Sequence, residues 1–118
     1  MPRREDDLYL LDIKSSIQKI ENFIKGLTFR DFQKNIMATD AVIRNLEVIG
    51  EAARHISLDL QKKYKEIPWK MIVEMRNKMT HEYFGIDLVI LWNTITKDIP
   101  LLKKQIKIIL AAKNKNNL

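Results

Sequence analysis

The amino-acid sequence predicts an all-α fold, an antiparallel bundle of four to five helices. Apolar residues recur every three or four positions through most of the chain, the repeat of a helix with one buried face. No stretch of useful length alternates apolar and polar residues as a half-buried strand does. The 118 residues include only three glycines and three prolines, too few for a turn-rich β protein. The apolar, Lys- and Glu-rich composition favours helices.

The first helix is expected from Asp6 to Lys25. Leu10, Ile13, Ile17, Ile20 and Ile24 form its apolar stripe. Asp6 and Asp7 fall in the first turn, where the helix dipole favours acids, and Gly26 supplies a C-terminal stop. Thr28 precedes Asp31 by three residues, a capping box with Asp in place of Glu, which predicts a short helix from Phe29 to about Lys34. A long helix should follow, from Ile36 or Asp40 through to Lys62. Its Val42, Leu46, Ile49, Ala53, Ile56 and Leu60 alternate spacings of four and three, a narrow seam of the kind found in antiparallel bundles and helix dimers.

Pro68 is placed to open the next helix, whose stripe is Trp69, Ile72, Met75 and Met79 and which should loosen between Thr80 and Gly85. Asp87 suits the N-cap of the last helical region. There Leu88, Trp92, Ile95, Ile99, Leu102, Ile106 and Ile109 keep one phase straight through Pro100. That predicts a kinked helix or two nearly collinear ones. Residues 114–118 are expected to fray.

A chain of this length suggests one domain over residues 1–118, burying roughly two-thirds of its unfolded surface. The net charge of +6 and pI near 9.6 permit binding to nucleic acid or another polyanion. From Lys97 to Lys115 six lysines face a single acid, Asp98. The plain reading of that run is a solvated helix face. The absence of cysteine excludes disulfides and thiolate metal sites. No charged-then-apolar leader and no run of about 18 apolar residues is present, so a cytoplasmic protein without a membrane partner is expected.

The chemistry concentrates in Arg76-Asn77-Lys78-Met79-Thr80-His81-Glu82-Tyr83, which contains one of the two histidines. On a helix Asn77 and His81 share a face, turned away from the Ile72–Met75–Met79 stripe, and Arg76 lies at the edge of that stripe. A helix end near Thr80 would bring Arg76 and His81 closer together. Arginine grips phosphate oxygens with a rigid fork of donors, and histidine exchanges protons near neutral pH. RNA carries its own nucleophile, the 2′-hydroxyl, so such a pair suits phosphodiester cleavage without a metal or cofactor. Asn77 would orient the imidazole or hold a phosphate oxygen. One copy supplies one histidine here, so the acid and base roles call for two subunits; the seam on the long helix makes a symmetric homodimer reasonable.

Spacing alone also allows a surface histidine with Arg76 paired to Glu74 or Glu82. His55, next to Arg54, reads as a surface or interface residue. Arg44, Glu47, Glu51 and Arg54 form a stripe of mixed sign, either ordinary helix-face ion pairs or a support beside the cleft in which Glu47 or Glu51 orients Arg76. Trp69 and Trp92 lie on apolar stripes and read as core.

Larger stretches carry a resemblance. The segment Asp40-Ala41-Val42-Ile43-Arg44-Asn45-Leu46-Glu47-Val48-Ile49-Gly50-Glu51-Ala52-Ala53-Arg54 resembles the long helix of the HepT-like HEPN family. Ile67-Pro68-Trp69-Lys70-Met71-Ile72 is similar to the start of that family's catalytic helix. Met75 to Asp87 matches its signature, Arg-x4-His-x-Tyr followed by aromatic-Gly-hydrophobic-Asp. Trp92 and Lys97-Asp98-Ile99-Pro100 fit the last helices. The likeness covers about Leu8 to Ile109.

It implies a HEPN bundle acting as a homodimer, and a metal-independent RNase toxin of a two-gene toxin–antitoxin module. Arg76 and His81 match the catalytic pair, and Asn77 matches the polar residue that usually follows the arginine. Tyr83 matches the tyrosine to which a partner MntA-type nucleotidyltransferase antitoxin attaches AMP, a modification that would block RNA by charge and bulk. The implied substrate is RNA, with tRNA a candidate. The alternative is a non-catalytic HEPN dimer that binds a nucleotidyltransferase or a nucleotide.

Overall fold

The computed structural model describes residues 5–81 and 85–116. Among these, all regular secondary structure is helical. Four helices form the bundle: α1 (Asp6–Ile24), α3 (Ile36–Arg54), α5 (Trp69–His81) and α7 (Ile99–Asn116). Three short helices turn its corners: α2 (Phe29–Lys34), α4 (Leu58–Lys63) and α6 (Leu88–Asn93).

Local chemistry sets most boundaries. Asp6 and Asp7 occupy the first turn of α1, and Gly26 takes φ 76°, the left-handed conformation that ends a helix without a Cβ penalty. Thr28 and Asp31 form the reciprocal capping box that starts α2. Asp87 accepts from Val89 N–H and Ile90 N–H to start α6.

The expected continuous helix to Lys62 is instead two. His55 closes α3, and Ser57 caps α4 by accepting from Leu60 N–H. Ser57 is itself fixed from α1, since its N–H and hydroxyl donate to the two oxygens of Asp6 at 2.9 and 2.6 Å. The apolar seam runs on through Ile56 and Leu60, both buried, so periodicity carries no sign of the break. The kink expected near Pro100 is a π-helical turn, Thr94–Asp98, with Ile99 N–H donating to the Thr94 carbonyl five residues back. The wider turn precedes a proline that has no N–H to give. α7 continues through Asn116, past the predicted fraying point.

One apolar core joins these elements. Leu10, Ile13, Ile17 and Ile20 of α1 meet Val42, Leu46, Ile49 and Ala53 of α3 and Ile99, Leu102, Ile106 and Ile109 of α7, all buried. Burial of each large aliphatic side chain contributes about 1.5–3 kcal/mol, which dwarfs the surface ion pairs. Those pairs fix register: Lys103–Glu21 and Lys113–Asp7, each 2.9 Å, make α7 antiparallel to α1. Part of the C-terminal lysine run is thus spent on α1. Trp69 is buried, with Nε1–H donating to the Tyr64 carbonyl, and half-buried Trp92 packs against Phe29 and Phe32. Among the described residues no helix is long and apolar enough to cross a membrane.

Candidate active site

Arg76 owes its position to Gly50. A Cβ built on Gly50 would lie 2.1 Å from Arg76 Cβ, 3.0 Å from the Ile72 carbonyl oxygen and 3.1 Å from Arg76 Cα. Helices α3 and α5 therefore cross with backbone almost against backbone, and the arginine starts from the crossing point. A glycine inside a helix costs about 1 kcal/mol relative to alanine; here it permits an approach that no other residue allows.

From that origin the guanidinium is held on two sides. Its Nε lies 3.3 Å from Glu51 Oε2, and one terminal nitrogen donates to Asn77 Oδ1 at 3.0 Å. The Glu51 oxygen is buried and lacks an aligned hydrogen bond, so its contact with Arg76 is an ion pair. The other oxygen, Oε1, receives Arg54 Nη2 at 2.9 Å and His55 Nε2 at 3.1 Å. The Arg54 hydrogen bond, opposed by desolvation and aided by His55 and by the charges of Arg54 and Arg76, holds the Glu51 carboxyl below its ordinary value of 4.5. A carboxylate ionised in this way orients Arg76 from behind.

His81 is the last residue of α5 and is exposed. α5 is helical through His81, one residue past Thr80. Five residues of helix separate Arg76 and His81 by about 7.5 Å along the axis and about 140° around it. Within one copy the two side chains leave the helix in different directions. Asn77 is exposed beside Arg76, and Thr80 donates its hydroxyl to the Arg76 carbonyl at 3.0 Å. Tyr83 and Glu82 lie outside the described residues.

A polar cavity of about 220 Å3 opens beside Arg76, with Tyr9, Arg44, Glu47, Glu51 and His55 in its wall. Of the mixed-charge stripe, Glu51 contacts Arg76, whereas Glu47 pairs loosely with Arg44 at 3.9 Å. His55 is drawn into the same network and stacks on Tyr9, with ring centroids 5.2 Å apart. Sequence reasoning did not single out Gly50. The available signal was a lone glycine inside an otherwise regular helical pattern. Among the described residues no group of three or more His, Cys, Asp or Glu side chains is arranged to hold a metal ion.

The family model described as "Ribonuclease HepT-like" matches residues 13–109. The chain belongs to the HepT-like ribonuclease family. Its relatives cover most of the chain. "Putative RNase MJ1380" of Methanocaldococcus jannaschii is 40% identical across 92% of this chain and 100% of its own length. "Probable ribonuclease HepT" of Thermococcus cleftensis is 45% identical, across 87% of this chain and 93% of its own. "Putative RNase TTE0752" of Caldanaerobacter subterraneus is 43% identical, across 86% and 91%. No solved structure matches the chain.

Proposed function

We propose that this HepT-like protein is a metal-independent endoribonuclease that works as a homodimer, two Arg-x4-His motifs flanking one RNA phosphate. The observation that carries the reading is the anchoring of Arg76: a guanidinium fixed at its root by Gly50 and along its length by Glu51 and Asn77. A donor fork held in place before substrate arrives needs no reorganisation when charge develops on a phosphorane.

In the proposed reaction His81 accepts the proton of the 2′-hydroxyl, and the 2′-oxygen attacks the adjacent phosphorus. Arg76 stabilises the pentacoordinate phosphate. The 5′-oxygen leaves, taking a proton from His81 of the partner subunit. The products are a 2′,3′-cyclic phosphate, which water opens to a 3′-phosphate, and a 5′-hydroxyl. The separation of Arg76 and His81 around α5 supports a two-subunit site, because one copy does not aim both groups at the same point.

The reading extends to a cytoplasmic toxin–antitoxin module in which a nucleotidyltransferase attaches AMP to Tyr83. Induced expression of the chain alone should arrest growth, and His81→Ala should relieve the arrest. Coexpression with the nucleotidyltransferase should raise the intact mass by AMP units, and Tyr83→Phe should abolish the rise. One observation favours a second reading, a dimer that docks the transferase without cutting RNA: Glu51 already offsets the Arg76 charge. Such a module would be harmless with or without His81 yet still copurify with its partner.

A further inference from the structure

The cavity beside Arg76 has walls suited to a nucleobase. Its volume of about 220 Å3 is below the roughly 300–1,000 Å3 of sites that enclose drug-sized ligands, so it suits one ring system better than a whole nucleotide. The Tyr9 and His55 rings lie nearly parallel there, 16° apart with centroids 5.2 Å from each other. Glu51 fixes the imidazole through Nε2 at 3.1 Å, and the His55 side chain keeps 43% of its surface exposed. Tyr9 backs one face of the imidazole, and an exposed ring held in this way is what unpaired bases stack on.

The charge of the wall decides which part of a nucleotide enters. Glu51 is already engaged by Arg54, His55 and Arg76, whereas Glu47 meets Arg44 only loosely. A phosphate belongs at the Arg76 rim. The interior instead suits a group that donates hydrogen bonds. Glu47 keeps acceptor capacity for one, since its contact with Arg44 is 3.9 Å, too long for a hydrogen bond.

We propose that this cavity is a base-recognition subsite: an unpaired base carrying an exocyclic amino group stacks on the His55 ring, which Tyr9 backs, and donates that group to Glu47. Cytosine, adenine and guanine qualify, and uracil does not. Arg44, with 74% of its side chain exposed, serves the flanking backbone. Phosphate contacts position a strand and base contacts specify it. The subsite's place next to a cleaved phosphate rests on the nuclease reading; its preference among bases does not.

The test uses the full chain and labelled 2′-O-methyl hexamers of cytidine and of uridine, which lack the nucleophile, so binding is read without cleavage by fluorescence anisotropy. The cytidine oligomer should bind about tenfold or more tightly than the uridine one. Glu47→Ala should abolish that difference. His55→Ala should weaken both oligomers by about tenfold, and Arg44→Ala should weaken both equally. Equal binding of the two oligomers, binding of neither, or a preference that survives Glu47→Ala overturns the subsite. Should His55→Ala fail to fold, the Glu47 variant decides alone, its site being partly exposed on the surface of α3. Cleavage by wild type but not by His81→Ala is judged separately, so the subsite and the nuclease reading can fail independently.

Discussion

Towards α3, helix α5 packs so closely at Gly50 that one added methyl would collide with Arg76. Towards α6 and α7 the same helix borders a groove of about 510 Å3 lined by Met71, Met75, Met79, Ile90 and Leu101 among others. The tight side is built from backbone contact and a shared carboxylate, and it fixes a guanidinium. The loose side is rich in methionine, which fills irregular space and tolerates change. The contrast teaches that placement of the charged group comes from the α3–α5 crossing, while the methionine side supplies burial without demanding one geometry.

Substitutions on the two sides should therefore behave differently. The largest effect is expected from Arg76→Lys, which keeps the Cβ against Gly50 but replaces the fork by a point charge. RNA cleavage should fall by about 10²–10³-fold while the urea midpoint stays near wild type. A lysine variant that cuts normally would show that the fork is dispensable. Next comes Gly50→Ala. Helix propensity favours alanine by about 1 kcal/mol, but overpacking typically costs about 1–3 kcal/mol, and a Cβ placed 2.1 Å from another carbon sits at the severe end. A net loss of about 2 kcal/mol should appear in urea unfolding, together with weakened cleavage. An unchanged midpoint would mean that α3 and α5 separate freely.

Glu51→Gln should act more modestly and with a defined pH dependence. The Glu51 carboxyl titrates below its ordinary value of 4.5, chiefly through its Arg54 hydrogen bond. A depressed folded pKa stabilises the fold fully above the unfolded value, and the contribution fades as pH falls through the lowered folded value. The wild-type advantage over Glu51→Gln should be present at neutral pH and vanish in acid. With the carboxylate 39% exposed, solvent screening limits it to about 1 kcal/mol or less. Thermal melts at both pH values would show it; an advantage that grows in acid contradicts the assignment. The smallest change belongs to the loose side: Met71→Gln, at a side chain already exposed, should stay within about 0.5 kcal/mol of wild type.

Much of this was legible in the sequence where the physics is local. The Thr28–Asp31 box, the Gly26 stop and the Asp87 cap each involve partners within three residues, and each stands where the sequence places it. The break between α3 and α4 was not legible, because the residue that secures Ser57 is Asp6, 51 positions away. In the site, the outward direction of Asn77 and His81 followed from helical phase. Contact between Glu51 and Arg76 was one of two open readings until the crossing of α3 and α5 set their distance. The role of Gly50 and the joining of Tyr9 to His55 depend on which helices touch and how closely, and periodicity within a single helix does not encode that.

The central claim is most directly tested by incubating purified wild type and His81→Ala with RNA in the presence of a metal chelator, then identifying the new 3′ ends. Removing a general acid–base group typically costs about 10²–10⁴-fold in rate. Wild type is predicted to leave 2′,3′-cyclic phosphate or 3′-phosphate termini, and His81→Ala to leave the RNA intact over the same period. Equal cleavage by the two proteins, or cleavage by neither, would contradict a nuclease built on Arg76 and His81.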